Sequence, residues 1–157
     1  LEMLASIFTD RLFEQFREGE GASYSPDVSS SWPSTFDSGG NFTVMAQVKP
    51  ESVEAFFVRA RAIAKDLASK PVTPDELQRA ISPMLQRLAR AQTGNMFWLS
   101  QLSGATSEPM RVDNLLSWGA DLKSMTPANL QKLAKRYLKA NKTFSMVVAP
   151  ERTGPAN

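Results

Sequence analysis

The chain has 157 residues, of which 42% are apolar and 22% are charged, a balance typical of one ordinary globular domain. Its formal net charge of +2 is too small to indicate a nucleic-acid-binding protein, and no apolar run approaches the roughly 18 residues of a membrane span. The absence of histidine and cysteine excludes a typical zinc site, a Ser-His-Asp triad and a Cys-His dyad, because each of these requires one of the two residue types.

The first predicted element is a helix that is already under way at the first residue. Its apolar residues recur at the spacing of one helix face: Leu1, Leu4, Phe8, Leu12 and Phe16. Gly19 or Gly21 should end this helix, since glycine readily takes the left-handed conformation of a helix end. Because the apolar pattern starts without a cap before it, we expect the chain to be a fragment of a longer protein.

A β-hairpin is predicted next, from Tyr24 to Trp32 and from Asn41 to Val48. The second segment alternates apolar and polar residues, and Gly39 and Gly40 lie in the connection. This pattern is typical of an antiparallel pair with one buried face.

Helices are predicted to fill most of the remaining chain. The two clearest run from Glu51 to Lys70 and from a capping box at Thr73 onward, and shorter ones follow. A closing strand is predicted from Thr143 to Ala149 by the alternation of its apolar residues. Helices that cover one face of a partly antiparallel sheet make an α+β domain of residues 1–150, and residues 151–157 are predicted to be a disordered tail.

Two further patterns have ordinary structural interpretations. The first is an uncharged apolar stripe, which we interpret as core because large apolar residues are usually buried: Met96, Phe97, Trp98 and Leu99. The second is a basic run with no acid among it: Lys132, Lys135, Arg136, Lys139 and Lys142. Cations are expected near the carboxyl end of a helix, so a solvated helix face is the favoured interpretation.

Residues 10–13 and 17–26 carry a resemblance to a known family. Asp10-Arg11-Leu12-Phe13 and the later Arg17-Glu18-Gly19-Glu20-Gly21-Ala22-Ser23-Tyr24-Ser25-Pro26 resemble the signature of the M16 (pitrilysin/insulinase-like) zinc metallopeptidases. In that signature a helix ends with an arginine, a glycine turn follows, and a strand opens with tyrosine and serine. The stretches 71–77, 95–99 and 125–130 agree in order, so that the resemblance covers about residues 3 to 150.

The resemblance is to the last, non-zinc-ligating domain of the bacterial members of that family. It implies a LuxS/M16 metallohydrolase-like fold, truncated at its start, whose opening strand and helix would precede Leu1. In the family, two similar halves enclose a chamber, and the first half binds zinc through an inverted HxxEH motif. The resemblance therefore implies no catalytic residue, metal ligand or cofactor in this chain, with zinc bound by the other half of the parent enzyme.

The same resemblance implies two substrate-binding residues, Arg17 and Tyr24. They match an arginine and a tyrosine that, in the family, reach across to the peptide near the zinc. A guanidinium and a phenol are hydrogen-bond donors suited to a peptide carbonyl. The implied partners are the HxxEH-bearing amino-terminal half and a peptide substrate, with no nucleic acid and no membrane span. The compartment is left open between periplasm and cytoplasm, and the resemblance to bacterial members favours the periplasm.

Three functions follow from these observations. The first is the substrate-binding, chamber-completing domain of a zinc-dependent endopeptidase, which is not itself catalytic. The second is a structural or docking domain of a catalytically inactive M16-like protein, and the third is an unrelated basic module that binds anionic surfaces through residues 132–142. Because a truncated domain leaves a sheet edge uncovered, a homodimer of the fragment is also expected.

Overall fold

Helices form most of the chain in the computed structural model, which describes residues 1–17, 25–32, 39–108 and 110–149. The described elements follow in this order: α1 (Glu2–Arg17), β1 (Asp27–Ser31), β2 (Asn41–Met45), a 3-10 helix (Pro50–Ser52), α2 (Val53–Ser69), α3 (Pro74–Ala91), α4 (Asn95–Leu102), α5 (Met110–Ser124), α6 (Pro127–Tyr137) and a second 3-10 helix (Ala140–Lys142). Helices together with an antiparallel pair of strands confirm the predicted α+β class.

The chain divides into two compact units. Unit 1 contains the described residues up to Ser69 and those from Leu133 onward, whereas unit 2 contains Lys70–Lys132. None of the described helices has the length and apolar content that crossing a membrane requires.

In unit 1, β1 and β2 form an antiparallel hairpin. The register pairs the first residue of β1, Asp27, with the last residue of β2, Met45. Burial alternates along both strands, and on the inner side the ring of Phe42 lies 5.8 Å from the ring of Phe8 in α1. One face of the hairpin is thus covered and the other is open to solvent, as the alternation of the second strand predicts.

α1 supplies much of the core of unit 1. Seven of its described side chains are buried: Met3, Leu4, Ala5, Ile7, Phe8, Leu12 and Phe16. Most of them recur every three or four positions and therefore lie along one side of the helix. Each of the larger ones contributes roughly 1.5–3 kcal/mol by leaving water.

An ion pair and a ring contact are among the interactions that join α1 to α2. The Nη1 atom of Arg11 donates to Oδ2 of Asp66 at 2.7 Å, and the ring of Phe16 stacks on that of Phe56 with centroids 6.1 Å apart. α2 buries Phe56 with Ile63 and Leu67, which confirms the apolar stripe predicted for this helix.

In unit 2, α3 begins with the predicted capping box. The hydroxyl of Thr73 accepts a hydrogen bond from the backbone N–H of Glu76 at 3.2 Å, and the carboxylate of Glu76 accepts one from the N–H of Thr73 at 2.8 Å. These reciprocal bonds satisfy two N–H groups that a helix start leaves unpaired. α3 packs on α5, where the side chain of Leu88 lies near Gly119.

The prediction of a closing strand from Thr143 to Ala149 was wrong. These residues belong to no helix or strand, and no backbone hydrogen bond joins them to another described residue. A strand requires a neighbour to pair its N–H and C=O groups, and no described segment of the chain supplies one. The predicted hairpin strands are also shorter than expected, while Tyr24 and the predicted tail, 151–157, lie outside the described residues.

Candidate functional site

Arg17 and Tyr24, the two predicted substrate contacts, lie at the edge of what the structure describes. Arg17 is the last residue of α1, and its side chain lies outside the described part of the chain. Tyr24 belongs to the stretch 18–24, which also lies outside it. The approach of these two side chains to one ligand therefore stays a prediction.

The residue before Arg17 is held firmly. Phe16 is buried, its ring stacks on Phe56, and the guanidinium carbon of Arg59 lies 5.1 Å from the centroid of the same ring. Burial together with a cation–π contact fixes the last turn of α1 against α2. The backbone of Arg17 therefore belongs to a helix end that is packed in place. A residue that orients a substrate requires such a rigid support.

Arg59 is a residue that sequence reasoning did not single out. Its position on the polar side of the α2 stripe is typical of a solvated cation, and only the packing of α1 against α2 brings it to Phe16. The helical spacing of apolar residues in α1 and α2 indicates that the two helices pack on other elements. It does not indicate that Arg59 and Phe16 are the residues that meet.

The residues of this chain do not fit a zinc site. The sequence contains no histidine and no cysteine, and the described residues contain no group of three carboxylates close enough to hold a metal ion. Protein zinc sites almost always include nitrogen or sulfur ligands, which this chain cannot provide. No metal chemistry is therefore assigned to its residues.

A basic surface lies at the end of α6 and just beyond it. We call four cations of unit 1 the basic cluster: Lys135, Arg136, Lys139 and Lys142. All four side chains are exposed, and none forms an ion pair with an acid among the described residues. The chain has no Asp or Glu between Asp121 and Glu151, so that no carboxylate within this stretch of sequence neutralises the cluster. The solvated face predicted from the sequence agrees with this exposure.

The end of α6 is fixed to the hairpin end by an aromatic pair. The rings of Trp32 and Tyr137 meet edge to face with centroids 5.1 Å apart, and the guanidinium carbon of Arg136 lies 5.3 Å from the Tyr137 ring. Since Tyr137 is the last residue of α6, this contact holds the helix end that carries the basic cluster.

Residues 143–149, which we call the closing segment, follow the basic cluster directly. Every side chain of the segment is exposed, and Phe144 and Val148 both remain 85% accessible to solvent. Ser145 Oγ accepts a hydrogen bond from Nη2 of Arg61 in α2 at 3.4 Å. The closing segment thus combines exposed apolar side chains and neighbouring cations with a backbone that pairs with no described residue.

The stripe from Met96 to Leu99 corrects a second prediction. We expected core, but Met96 and Leu99 are 73% and 67% exposed, while Phe97 and Trp98 are half-buried. An open groove of about 600 Å³ lies here, lined by Asn95, Met96, Trp98, Leu99, Leu102 and Ser103. Apolar residues occupy consecutive positions of α4, so that one side of this short helix cannot bury all of them.

The sequence did hold a signal for this surface. No charged residue occurs in the 17 positions from Ala91 to Ser107, although most of that stretch is exposed. An uncharged, exposed and apolar stretch is typical of an interaction surface rather than of a solvated one.

Comparison with known proteins gives one family. A family model described as the peptidase M16 inactive domain matches residues 1–84, which are more than half of the 157 residues. The matched range contains α1, the hairpin, α2 and the first part of α3, together with Arg17 and Tyr24. No curated protein matches the chain.

Proposed function

Because this chain belongs to the family of the peptidase M16 inactive domain, we propose that it completes the substrate chamber of a zinc-dependent endopeptidase and binds the peptide there. The observation that carries the proposal is the family match itself, which spans the helix and hairpin that flank the proposed substrate contacts. The domain is non-catalytic, in agreement with a composition that lacks the usual metal ligands and bases.

In this proposal, Arg17 and Tyr24 hold the peptide. The guanidinium of Arg17 offers several N–H donors in a planar fork, and the phenol of Tyr24 offers one O–H donor. Both donors are directed at the carbonyl of the bond to be cleaved, where negative charge develops during the reaction. The burial of Phe16 supports this role, since it makes the end of α1 a rigid base for Arg17.

The partner in this proposal is a zinc-binding half with an HxxEH motif, located in the same polypeptide or in another subunit. Zinc belongs to that half, because this chain has no histidine or cysteine to bind it. The purified chain should therefore cleave no peptide by itself, and zinc should leave its thermal midpoint unchanged.

The proposal is tested in the intact parent enzyme. Arg17→Ala or Tyr24→Phe should lower turnover by roughly ten- to a thousand-fold, the range for losing one oriented donor, with unchanged zinc content and folding stability. Arg17→Lys should restore only part of the activity, because lysine offers a point charge in place of a planar fork. Arg90→Ala, which removes an exposed arginine of unit 2, serves as the matched control and should leave turnover unchanged.

Two results would refute the proposal. Chelator-sensitive cleavage by the purified chain alone would show that the domain is catalytic. Full activity of both variants in a zinc-loaded parent would show that Arg17 and Tyr24 do not bind the substrate. A structural or docking role would then be the remaining function of the domain.

A further inference from the structure

The last turn of α1 lies against a short row of aromatic rings and guanidinium groups on α2. The ring of Phe16 stacks on that of Phe56, and the Phe56 ring lies 5.5 Å from the ring of Phe57. The guanidinium carbon of Arg59 lies 5.1 Å from the centroid of the Phe16 ring. That of Arg61 lies 5.6 Å from the centroid of the Phe57 ring. Both arginines of α2 thus meet a ring, but the ring that Arg59 meets belongs to α1.

Two physical effects favour a cation at the position of Arg59. The face of an aromatic ring carries partial negative charge and attracts a guanidinium. Phe16 also lies in the last turn of α1, where C=O groups without helical partners give the helix end a partial negative charge. The guanidinium of Arg59 lies beside that turn and is attracted by both charges. Because Arg59 is half-buried, water screens these attractions less than on an open surface.

The position of Arg59 bears on the role of Arg17. An arginine at the carboxyl end of a helix ordinarily neutralises the partial negative charge of that end. Here Arg59, from another helix, places a positive charge beside the last turn of α1. The helix end therefore does not depend on the guanidinium of Arg17 for its neutralisation.

We propose that Arg59 is a positioning residue for the peptide-binding Arg17. Its contact with Phe16 holds the last turn of α1 against α2 and so fixes the backbone that carries the Arg17 side chain. Its charge stabilises the same helix end, which leaves the guanidinium of Arg17 to the peptide. Arg59 itself touches neither the peptide nor the reacting atoms. This inference rests on the proposed function, because it requires Arg17 to bind the substrate.

The test begins with steady-state kinetics of the intact, zinc-loaded parent enzyme. Arg59→Gln removes the charge and should lower kcat about three- to tenfold with KM nearly unchanged, because Arg17 is then less well oriented for its contact in the transition state. Arg59→Lys keeps a cation for the ring and the helix end and should restore most of the activity. Arg61→Gln removes the neighbouring ring-bound arginine of α2 and, as the matched control, should leave kcat unchanged.

A double-mutant cycle separates positioning from an independent contribution. If Arg59 acts through Arg17, Arg59→Gln should have almost no further effect on kcat once Arg17→Ala is present. A residue that merely stabilised the fold would lower the activity by the same factor in both backgrounds.

A second measurement, on the purified chain, requires no activity. Hydrogen exchange at the amides of residues 14–17 should be about three- to tenfold faster in Arg59→Gln, since the last turn of α1 opens more readily without the cation. Exchange at these amides should be unchanged in Arg61→Gln. The amides of residues 6–10, in the middle of α1, should exchange at the original rate in both variants.

Three outcomes would overturn the inference and leave the proposed function standing. They are an unchanged kcat in Arg59→Gln, an undiminished effect of Arg59→Gln in the Arg17→Ala background, and unchanged exchange at residues 14–17. Full activity of Arg17→Ala would instead refute the substrate contact itself, and the positioning role of Arg59 would fail with it.

Discussion

α1 and α4 are both rich in large apolar residues, and the structure places them in opposite environments. α1 buries seven of its described side chains, although charged residues are interspersed along it. α4 contains no charged residue and is the more apolar of the two, yet it has no buried side chain. Apolar content therefore does not determine burial in this protein.

The difference between the two helices lies in the arrangement of the residues and in what receives them. The apolar residues of α1 gather on one side, which packs on β1 and α2. Those of α4 occupy consecutive positions of an eight-residue helix, so that some must face solvent or a partner. A helix surface of this kind is typical of a site of association.

The largest expected effect is in α1, where Phe8→Ala removes a ring that is 1% exposed and packs against Phe42. A loss of about 3–5 kcal/mol in the free energy of unfolding is expected, because the substitution leaves a cavity in the core. Denaturant titration followed by circular dichroism measures it. Phe13→Ala, on the exposed side of the same helix, is the matched control and should cost less than about 1 kcal/mol. Equal losses would contradict the one-sided packing of α1.

The sequence predicted α1 well because a helix depends on local spacing. The capping box at Thr73 was predicted for the same reason, since its bonds join residues three positions apart. The closing strand was not predicted correctly, because pairing requires a distant segment that the pattern of residues 143–149 cannot reveal. The exposure of Met96 and Leu99 was missed for a related reason, since burial depends on a packing partner as well as on the residue itself.

The candidate site was accessible to sequence reasoning only through family resemblance. An arginine at the end of a helix usually has the ordinary role of neutralising the carboxyl-terminal dipole, and an aromatic residue at the start of a strand is common. Neither Arg17 nor Tyr24 is distinguished by composition or spacing alone. Arg59, by contrast, is identified by a tertiary contact with Phe16 that has no signature in the sequence.

The next largest change in the free energy of unfolding is expected at Gly40, in the hairpin region of unit 1. Gly40 lies against the indole ring of Trp32, so that Gly40→Ala places a methyl group where the ring now lies. A loss of about 1–3 kcal/mol is expected, because the ring or the hairpin backbone must move. A change in tryptophan fluorescence should accompany it.

Gly119→Ala in α5 is the matched substitution in unit 2, and it should have the opposite sign. The added Cβ would lie 3.7 Å from Cδ2 of Leu88, which is an ordinary contact. Alanine favours a helix interior over glycine by roughly 0.5–1 kcal/mol, so this variant should be more stable than the original. Destabilisation by both substitutions would contradict the difference between the two sites.

A smaller effect is expected at the start of α3. Thr73→Ala removes the side-chain acceptor of the capping box and should cost about 1 kcal/mol in the stability of unit 2. Thr126→Ala at the start of α6 removes only a single bond, to the N–H of Asn129 at 3.2 Å, and should cost less. Both losses are measured by denaturant titration, and the reverse order would show that the reciprocal bond of Glu76 adds nothing.

The smallest effect is expected at Leu99, where the comparison between α1 and α4 is most direct. Leu99→Ser replaces an apolar side chain that is 67% exposed, so it removes little buried area and should change the free energy of unfolding by less than about 0.5 kcal/mol. Leu88→Ser, at a buried position of α3 in the same unit, should in contrast cost several kcal/mol, roughly as for other buried leucines. Because Leu99 adds to an exposed apolar surface, we expect the chain to associate as its concentration rises and Leu99→Ser to reduce that association, with light scattering as the measurement. A loss of stability at Leu99 comparable with that at Leu88 would mean that α4 is already covered in solution, and the contrast with α1 would then disappear.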